Sequence, residues 1–128
     1  MKFTEDTLKQ ILEAFNRHDL SAIMEFFSED CSCDFPKGNE SWGQRFSGKE
    51  QVNKALEGRF KGIPNVHYGN DRHWISVDGS KGVSEWTLSE TTTTGIVLNV
   101  NGCDHWEFSN GMISRKDSYW KLVEPKSK

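Results

Sequence analysis

Residues 96–120 read IVLNVNGCDHWEFSNGMISRKDSYW, a stretch typical of two β-strands joined by a tight turn at Ser109-Asn110-Gly111. Every second side chain of a strand lies on the same face of the sheet. One face of the first strand is apolar except at a single carboxylate, Asp104. The apolar members of that face are Ile96, Leu98, Val100, Trp106 and Phe108. The pattern therefore predicts a buried strand face that contains one acid.

Asp104 is for this reason the first candidate for a functional residue. A carboxyl group buried in this way has a raised pKa unless a cation or several donors lie beside it. Perturbed acids cluster at functional sites, although structural networks perturb acids as well. A structural aspartate satisfied by backbone donors is therefore the alternative to a functional one.

Three amphipathic helices are predicted upstream. Thr4 caps the first, Asp19 caps the second, and Ser47 with Glu50 forms a capping box for the third. Apolar residues recur at helical spacing in each helix. They are Leu8, Ile11, Leu12 and Phe15, then Leu20, Ile23, Met24 and Phe27, and finally Val52, Ala55, Leu56 and Phe60.

After Gly62 and Pro64 the apolar spacing changes to two, which predicts four strands. A short strand is also expected between the second and third helices, and residues 37–47 are expected to form a polar loop. The five predicted strands are 31–35, 65–77, 81–94, 96–108 and 112–123. The order ααβαββββ is typical of an α+β domain, in which a curled, mainly antiparallel sheet wraps around three helices as a cone with a pocket at its open end. Residues 124–128 are expected to fray.

Length and composition narrow the class of protein. The 128 residues suit a single domain over 1–128 with a core of its own. The net charge is −3, from 16 basic and 19 acidic residues, which argues against nucleic acid or anionic membranes as partners. The N-terminus lacks an apolar signal region and the chain lacks a long apolar run, so we expect a soluble, cytoplasmic protein.

The three cysteines, Cys31, Cys33 and Cys103, show no framework spacing. An odd number of cysteines without such spacing favours free thiols in a reducing compartment. Cys31 and Cys33 are expected to pack as small apolar residues on one strand face. A zinc site that combines them with Cys103 and a distant histidine is a weak alternative.

Three stretches together resemble the nuclear transport factor 2-like superfamily, in particular its SnoaL-like and ketosteroid-isomerase-like branches. The resemblance covers about 4–123. The stretches are AFNRHDLSAIMEFFSEDCSCDFPKG (14–38), FSGKEQV (46–52) and CDHWEFSNGMISRKDSYW (103–120). The resemblance implies a cone-shaped fold that hosts isomerases, cyclases and dehydratases as well as non-catalytic adaptors. It also implies a homodimer, formed through an outer sheet face that includes His105, Arg115 and Tyr119.

The resemblance gives a matching residue in this chain for only some of the functional residues of the isomerases. The resemblance places an oxyanion-hole aspartic acid of the isomerases at Asp104. The isomerase base falls at Phe35, with Asp34 one residue away, and the isomerase tyrosine falls near Ile11. The isomerase constellation is therefore incomplete in this chain.

Two further branches add candidates. The essential aspartate of SnoaL-like cyclases falls at Ser118, and the adjacent Asp117 is expected to point to the opposite face of the strand. The dehydratase branch has a cavity histidine on the strand after the third helix, and the stretch VHYGND places His67 there. Asp71 and His73 follow on the same strand and are expected to lie further from the chemistry.

Strand alternation brings Lys116 and Trp120 to the face of Ser118. A lysine on an inner face needs a carboxylate, and Asp104 or Glu85 is its expected partner, unless its ammonium group reaches water at the rim. In the stretch VSEWTL, hydrophobicity favours an inward Trp86, whereas the resemblance favours an inward Glu85.

The resulting hypothesis is a cofactor-independent isomerase, cyclase or dehydratase acting on a small hydrophobic, steroid-like or polyketide-like molecule. His67, whose imidazole in isolation titrates near neutral pH, moves the proton; Asp104, assisted by Lys116, polarises an oxygen. Expected pocket residues are Trp106, Ser118, Trp120, Glu85, Phe35 and Phe108, although aromatic residues such as these and Trp42 are more often core. No metal or cofactor motif is present in the sequence. The competing hypothesis is a non-catalytic ligand-binding or dimeric adaptor domain.

Overall fold

The computed structural model of the chain describes residues 3–124, so residues 125–128 of the tail expected to fray lie outside it. Its elements follow the order ααββαββββ. They are α1 (Glu5–Asn16), α2 (Leu20–Glu25), β1 (Phe27–Glu40), β2 (Gly43–Ser47), α3 (Lys49–Gly62), β3 (His67–Ile75), β4 (Lys81–Thr91), β5 (Val97–Ser109) and β6 (Met112–Trp120).

Six strands form one sheet in the order β2-β1-β6-β5-β4-β3. Among the strand pairs within residues 3–124, only β1–β6 is parallel, so the prediction of an α+β fold with a mainly antiparallel, curved sheet is confirmed. Helix α1 packs on β3 and α3 packs on β1. None of the helices within residues 3–124 is long and apolar enough to cross a membrane.

The prediction of a polar loop at 37–47 is wrong. Strand β1 continues to Glu40, and β2 pairs with it in antiparallel orientation. Gly43 has a φ of 79°, and a Cβ on it would collide with the Phe35 carbonyl oxygen, so glycine is required there. This edge of the sheet is polar and largely exposed, so it lacks the apolar alternation that identifies a strand.

The first two predicted helix caps are confirmed, but the third is wrong. The Thr4 side chain accepts the Thr7 N–H, and the Asp19 side chain accepts the Ala22 N–H. Helix α3 instead begins after Gly48, whose φ of 88° disfavours other residues, and no side chain caps it.

The predicted inward face of β5 is confirmed over most of its length. Val100, Asp104, Trp106 and Phe108 are buried. Ile96 is an exception because it precedes the strand and is exposed. The inner face of β1 carries Cys31 and Cys33, both buried and free, as predicted.

Strand β3 contains an irregularity that changes the expected facing of its side chains. Its pairing with β4 shifts between Gly69 and Arg72, and Asn70 has a φ of 51°. Before this bulge Tyr68 is buried and His67 is exposed. A bulge adds one residue to a strand and so reverses the alternation beyond it, which brings His73 to the inner face of the sheet.

Candidate functional site

Asp104 is the centre of a buried hydrogen-bond network at the inner face of the sheet. Only 2% of the residue is exposed. Lys116 Nζ lies 3.0 Å from Asp104 Oδ1, and the Ser118 hydroxyl group donates to the same oxygen at 2.5 Å. Trp86 Nε1 donates to Oδ2 at 2.9 Å. The predicted pairing of Lys116 with Asp104 is confirmed, and the carboxylate is satisfied by side chains rather than by the backbone.

Strand register explains why these groups meet. Asp104 of β5 pairs with Ser118 of β6, so the two side chains lie on the same face. Gly102, two residues earlier, pairs with Trp86 of β4. A Cβ on Gly102 would approach the Trp86 ring to 2.6 Å, so the glycine leaves the space that the indole occupies beside Asp104.

The charge state of Lys116 follows from its surroundings. Burial lowers the pKa of an ammonium group, but Asp104, Cys33 and Tyr68 together outweigh that effect, and the pKa of Lys116 is raised. The side chain is therefore a permanent cation, which excludes it as a general base or an amine nucleophile near neutral pH. Burial has the opposite effect on a thiol, because its charged form is the deprotonated one. It raises the pKa of the neighbouring Cys33 to about 12, so Cys33 is a thiol rather than a thiolate.

Lys116 and Ser118 border a narrow cavity between the sheet and helices α1 and α3. Lys116, Ser118 and Tyr68 provide polar groups, and aromatic rings such as those of Phe15 and Trp120 provide the walls. The cavity has a volume of about 20 Å³, which is room for about one water molecule. Asp104 does not line it but lies behind Lys116 and Ser118, so it positions those groups rather than reaching into the cavity.

The predicted pocket residues divide into two groups. Ser118, Trp120 and Phe35 line the cavity. Trp106 is buried beneath Lys116, whose Nζ lies 5.8 Å from its ring centroid. Phe108 does not line the cavity and stacks on Phe3 with the ring centroids 4.0 Å apart.

Two predicted positions are wrong. His67 is exposed and does not line the cavity, because Tyr68 takes the inward position before the bulge of β3. Glu85 lies on the outer face, where Arg72 donates to it at 2.9 Å. Trp86 is the inward residue of that pair, as its hydrophobicity predicts.

Asp34 and Asp117 lie on the outer face of the sheet and do not replace the missing family acids. Arg45 binds Asp34 through two hydrogen bonds of 2.7 and 2.9 Å. Asp117 accepts from Arg115 at 3.0 Å and from the Tyr119 hydroxyl group at 3.1 Å. The expectation that Asp117 points away from Ser118 is confirmed.

A second polar chain lies beneath α1, where sequence alternation did not predict it. The His73 ring lies 2.7 Å from Asp71 Oδ2 and 2.8 Å from Ser84 Oγ, and Trp106 Nε1 donates to the same hydroxyl oxygen at 3.0 Å. Ser84 is buried and does not line the cavity. The chain of Asp71, His73 and Ser84 therefore holds Trp106 in place and does not present Ser84 to the cavity as a nucleophile.

Sequence reasoning also missed an ion pair at the rim of the cavity. Arg59 of α3 donates to Glu90 Oε1 of β4 at 3.1 Å, and its guanidinium group lies 5.1 Å from the centroid of the Trp120 ring. The signal was present in part, because Glu90 shares the inward face of Trp86 and Leu88. An isolated acid on an apolar strand face is the same pattern that identified Asp104.

A family model described as the SnoaL-like domain matches residues 8–116. None of the curated proteins compared with the chain matches it. A candidate polyketide cyclase from Xanthomonas campestris pv. campestris has a similar structure, with a TM-score of 0.80 and 20% identity over 89% of this chain and 87% of that one.

Two further structures share the fold. The epoxide hydrolase/cyclase-like enzyme SalBIII, with a role in pyran ring formation in the polyether salinomycin, has a TM-score of 0.75 and 16% identity, over 90% of this chain and 88% of its own. A Mycobacterium tuberculosis protein in complex with estradiol-17beta-hemisuccinate has a TM-score of 0.75 and 17% identity, over 89% of this chain and 90% of its own. Because the family model spans most of the sequence, the chain belongs to the SnoaL-like domain family.

Proposed function

We propose that the chain binds a small, largely apolar molecule and that Lys116 and Ser118 hold one of its oxygens inside the cone. The observation that carries this proposal is the buried ammonium group at the wall of an aromatic cavity. An ammonium group has three N–H donors, and Asp104 and Ser118 are positioned to accept two of them. The third is available to a carbonyl or anionic oxygen.

The chemistry that this arrangement supports is stabilisation of negative charge on an oxygen. A fixed cation in a site that excludes water stabilises an enolate or a departing oxygen more strongly than water does. A cofactor-independent reaction of the isomerase, cyclase or dehydratase type uses this effect. Similarity to a candidate polyketide cyclase and to SalBIII supports this class of reaction.

Non-catalytic ligand binding is the second candidate, and a specific observation favours it. The ionisable or hydroxyl-bearing residues at the cavity are Arg59, Tyr68, Lys116 and Ser118, none of a type that ordinarily accepts a proton near neutral pH. His67, the predicted base, is exposed. A catalytic cycle therefore needs a proton acceptor from outside these four residues, whereas binding needs none.

Entry of a ligand requires side chains at the rim to move. A cavity of about 20 Å³ is far smaller than the several hundred Å³ typical of ligand pockets. Arg59, Phe60 and Trp120 border the cavity and are only partly buried, so we propose that they open it.

A fluorescence titration tests the binding function, because two tryptophans border the cavity. We expect the protein to bind a naphthol more tightly than naphthalene, which has no oxygen. The double variant Lys116→Met/Asp104→Asn removes both charges together and should lose this preference by about tenfold. Lys54→Met, which changes an exposed lysine, is the matched control. Equal preference in the wild type and the double variant would refute the proposal.

Turnover separates the two candidates. A screen against ketosteroids, polyketide fragments and epoxides should yield a reaction that the double variant slows by about a hundredfold or more, if the site is catalytic. Tight binding without turnover of any bound compound in the screen would favour the non-catalytic candidate.

We also propose a homodimer formed through the outer sheet face around His105, Arg115 and Tyr119. Tyr119 is 55% exposed there, and Trp74, 47% exposed, borders the same outer surface. Exposed aromatic residues of this kind are enriched at protein interfaces. Light scattering at micromolar concentration should give the mass of a dimer, and a monomeric mass would contradict this proposal.

A further inference from the structure

The cavity has a second cation in addition to Lys116. Arg59 reaches it from α3, on the helical side of the cone, whereas Lys116 reaches it from β6. The Arg59 side chain is 16% exposed and the Lys116 side chain 8%, so Arg59 lies nearer to the solvent. The two residues therefore mark the rim and the interior of one site.

Both cations are held by acids that do not line the cavity. Glu90 binds Arg59, Asp104 binds Lys116, and each acid is buried. A molecule that enters the cavity therefore meets N–H donors of both cations, while the carboxylates lie outside its lining. Charge-assisted hydrogen bonds from such donors favour ligand oxygens that carry negative charge.

Arg59 retains donors that Glu90 does not use. A guanidinium group has five N–H donors, and the contact with Glu90 uses one of the two carboxylate oxygens. The other oxygen, Oε2, is the one buried side-chain polar atom within residues 3–124 that has no hydrogen-bond partner. Arginine–carboxylate pairs are frequently bidentate, whereas Arg59 contacts one oxygen of Glu90 and also interacts with Tyr68, so it is not dedicated to Glu90. Here the guanidinium group instead lies over Trp120 at the cavity.

We propose that Arg59 determines specificity by binding a carboxylate of the ligand at the rim of the cavity, while Lys116 binds a carbonyl or phenolic oxygen inside it. The inference rests on the proposed function, because it adds a second anchor to the same site. The ligand class is then an apolar, ring-shaped oxo acid or hydroxy acid rather than a neutral ketone or alcohol.

A matched pair of probes tests this inference. One is a hydroxynaphthoic acid whose two groups lie at opposite ends of the ring system, and the other is its methyl ester, which keeps the hydroxyl group and removes the charge. We expect the wild type to bind the acid about tenfold more tightly than the ester, because a charge-assisted bond to Arg59 is lost in the ester.

The variant of choice is Arg59→Met/Glu90→Gln, because Arg59→Met alone would leave the buried Glu90 without a cation and could unfold the protein. The double variant should lose the preference for the acid, measured as the ratio of its affinities for the acid and for the ester. Arg17→Met, which removes an exposed arginine that does not line the cavity, should keep the preference. Arg59→Lys keeps the charge without the planar fork, and should show a reduced preference.

The outcomes separate the inference from the proposed function. Equal affinity of the wild type for acid and ester, or a preference that persists in Arg59→Met/Glu90→Gln, overturns the role of Arg59 alone. Ester affinity that is unchanged in Lys116→Met/Asp104→Asn overturns the proposed function. Failure of the wild type to bind either probe at millimolar concentration overturns both.

Discussion

Arg115, Lys116 and Asp117 follow one another in β6 and alternate between the outer and the inner face of the sheet. The ion pairs on the two faces lie in different environments. On the inner face, both Lys116 and its partner Asp104 are buried. On the outer face, Arg115 binds Asp117 and Glu107, but the guanidinium group is partly exposed to water. The difference teaches that burial preserves the attraction within the inner pair, whereas water screens the attraction within the outer pair.

The largest difference between the faces should come from removing one inner charge. Lys116→Met leaves Asp104 buried without its cation, and we expect a loss of about 3–5 kcal/mol in the free energy of unfolding. Adding Asp104→Asn should restore most of that loss, since an amide carries no charge. Urea denaturation measures both values. A single variant as stable as the wild type would show that the inner pair is not desolvated.

The second-largest expected effect is a loss of stability at alkaline pH, which comes from the buried thiol of Cys33 on the inner face. The pKa of Cys33 is raised from 9.0 to about 12 in the folded protein by burial. Above pH 9 the unfolded chain loses this proton while the folded protein keeps it, so stability should fall as pH rises from 9 toward 12, by about 1.4 kcal/mol per pH unit at most. The raised pKa of Lys116 acts in the same direction at higher pH.

Cys33→Ala is the variant that isolates this effect. Its unfolding free energy should depend less steeply on pH over the same range than that of the wild type. Cys103→Ala is the comparison: burial also raises the pKa of this partly exposed thiol on the outer face, but less than that of Cys33, so its removal should flatten the pH dependence less. Identical slopes for Cys33→Ala and the wild type would contradict a buried, neutral thiol at Cys33.

An intermediate effect is expected at the outer pair of Asp34 and Arg45, where the carboxylate is buried and the arginine is partly exposed. Arg45→Met removes two hydrogen bonds, but Arg115 remains 3.8 Å from Asp34. We expect a loss in the free energy of unfolding that is smaller than the loss in Lys116→Met, because solvent reaches the arginine. A loss as large as that of Lys116→Met would show that the faces are equally desolvated.

The smallest effect is expected at Arg72 and Glu85, where both outer side chains are exposed. Arg72→Met should change the free energy of unfolding by less than about 1 kcal/mol, because exposed pairs gain little. The small effect should disappear in high salt. A change of several kcal/mol would remove the distinction between the two faces.

Much of the inner site could be predicted because its residues belong to neighbouring strands of regular alternation. Asp104, Lys116 and Ser118 obey that alternation, and their pairing follows from it. His67 was misplaced because the pocket resemblance outweighed the apolar character of Tyr68. The bulge at Asn70 further obscured the alternation of β3, so that His73 rather than His67 turns inward.

Other features of the fold and the site could not be predicted from the spacing of apolar residues. Strand β2 is polar because it forms an exposed edge, so its residues were indistinguishable from a loop. Gly48 begins α3 through its backbone conformation, which no side-chain pattern reports. Glu90 had the same signal as Asp104, but its partner lies 31 residues earlier on a helix.

The sequence by itself determined the helices, the last four strands and the burial of an acid beside a lysine, because periodicity in a short segment decides which side chains share a face. Only the tertiary structure decided that Arg59 of α3 meets Glu90 of β4 and Trp120 of β6 at one cavity. The physical reason is that contacts between a helix and a sheet depend on packing, bulges and curvature, which long segments of chain establish together.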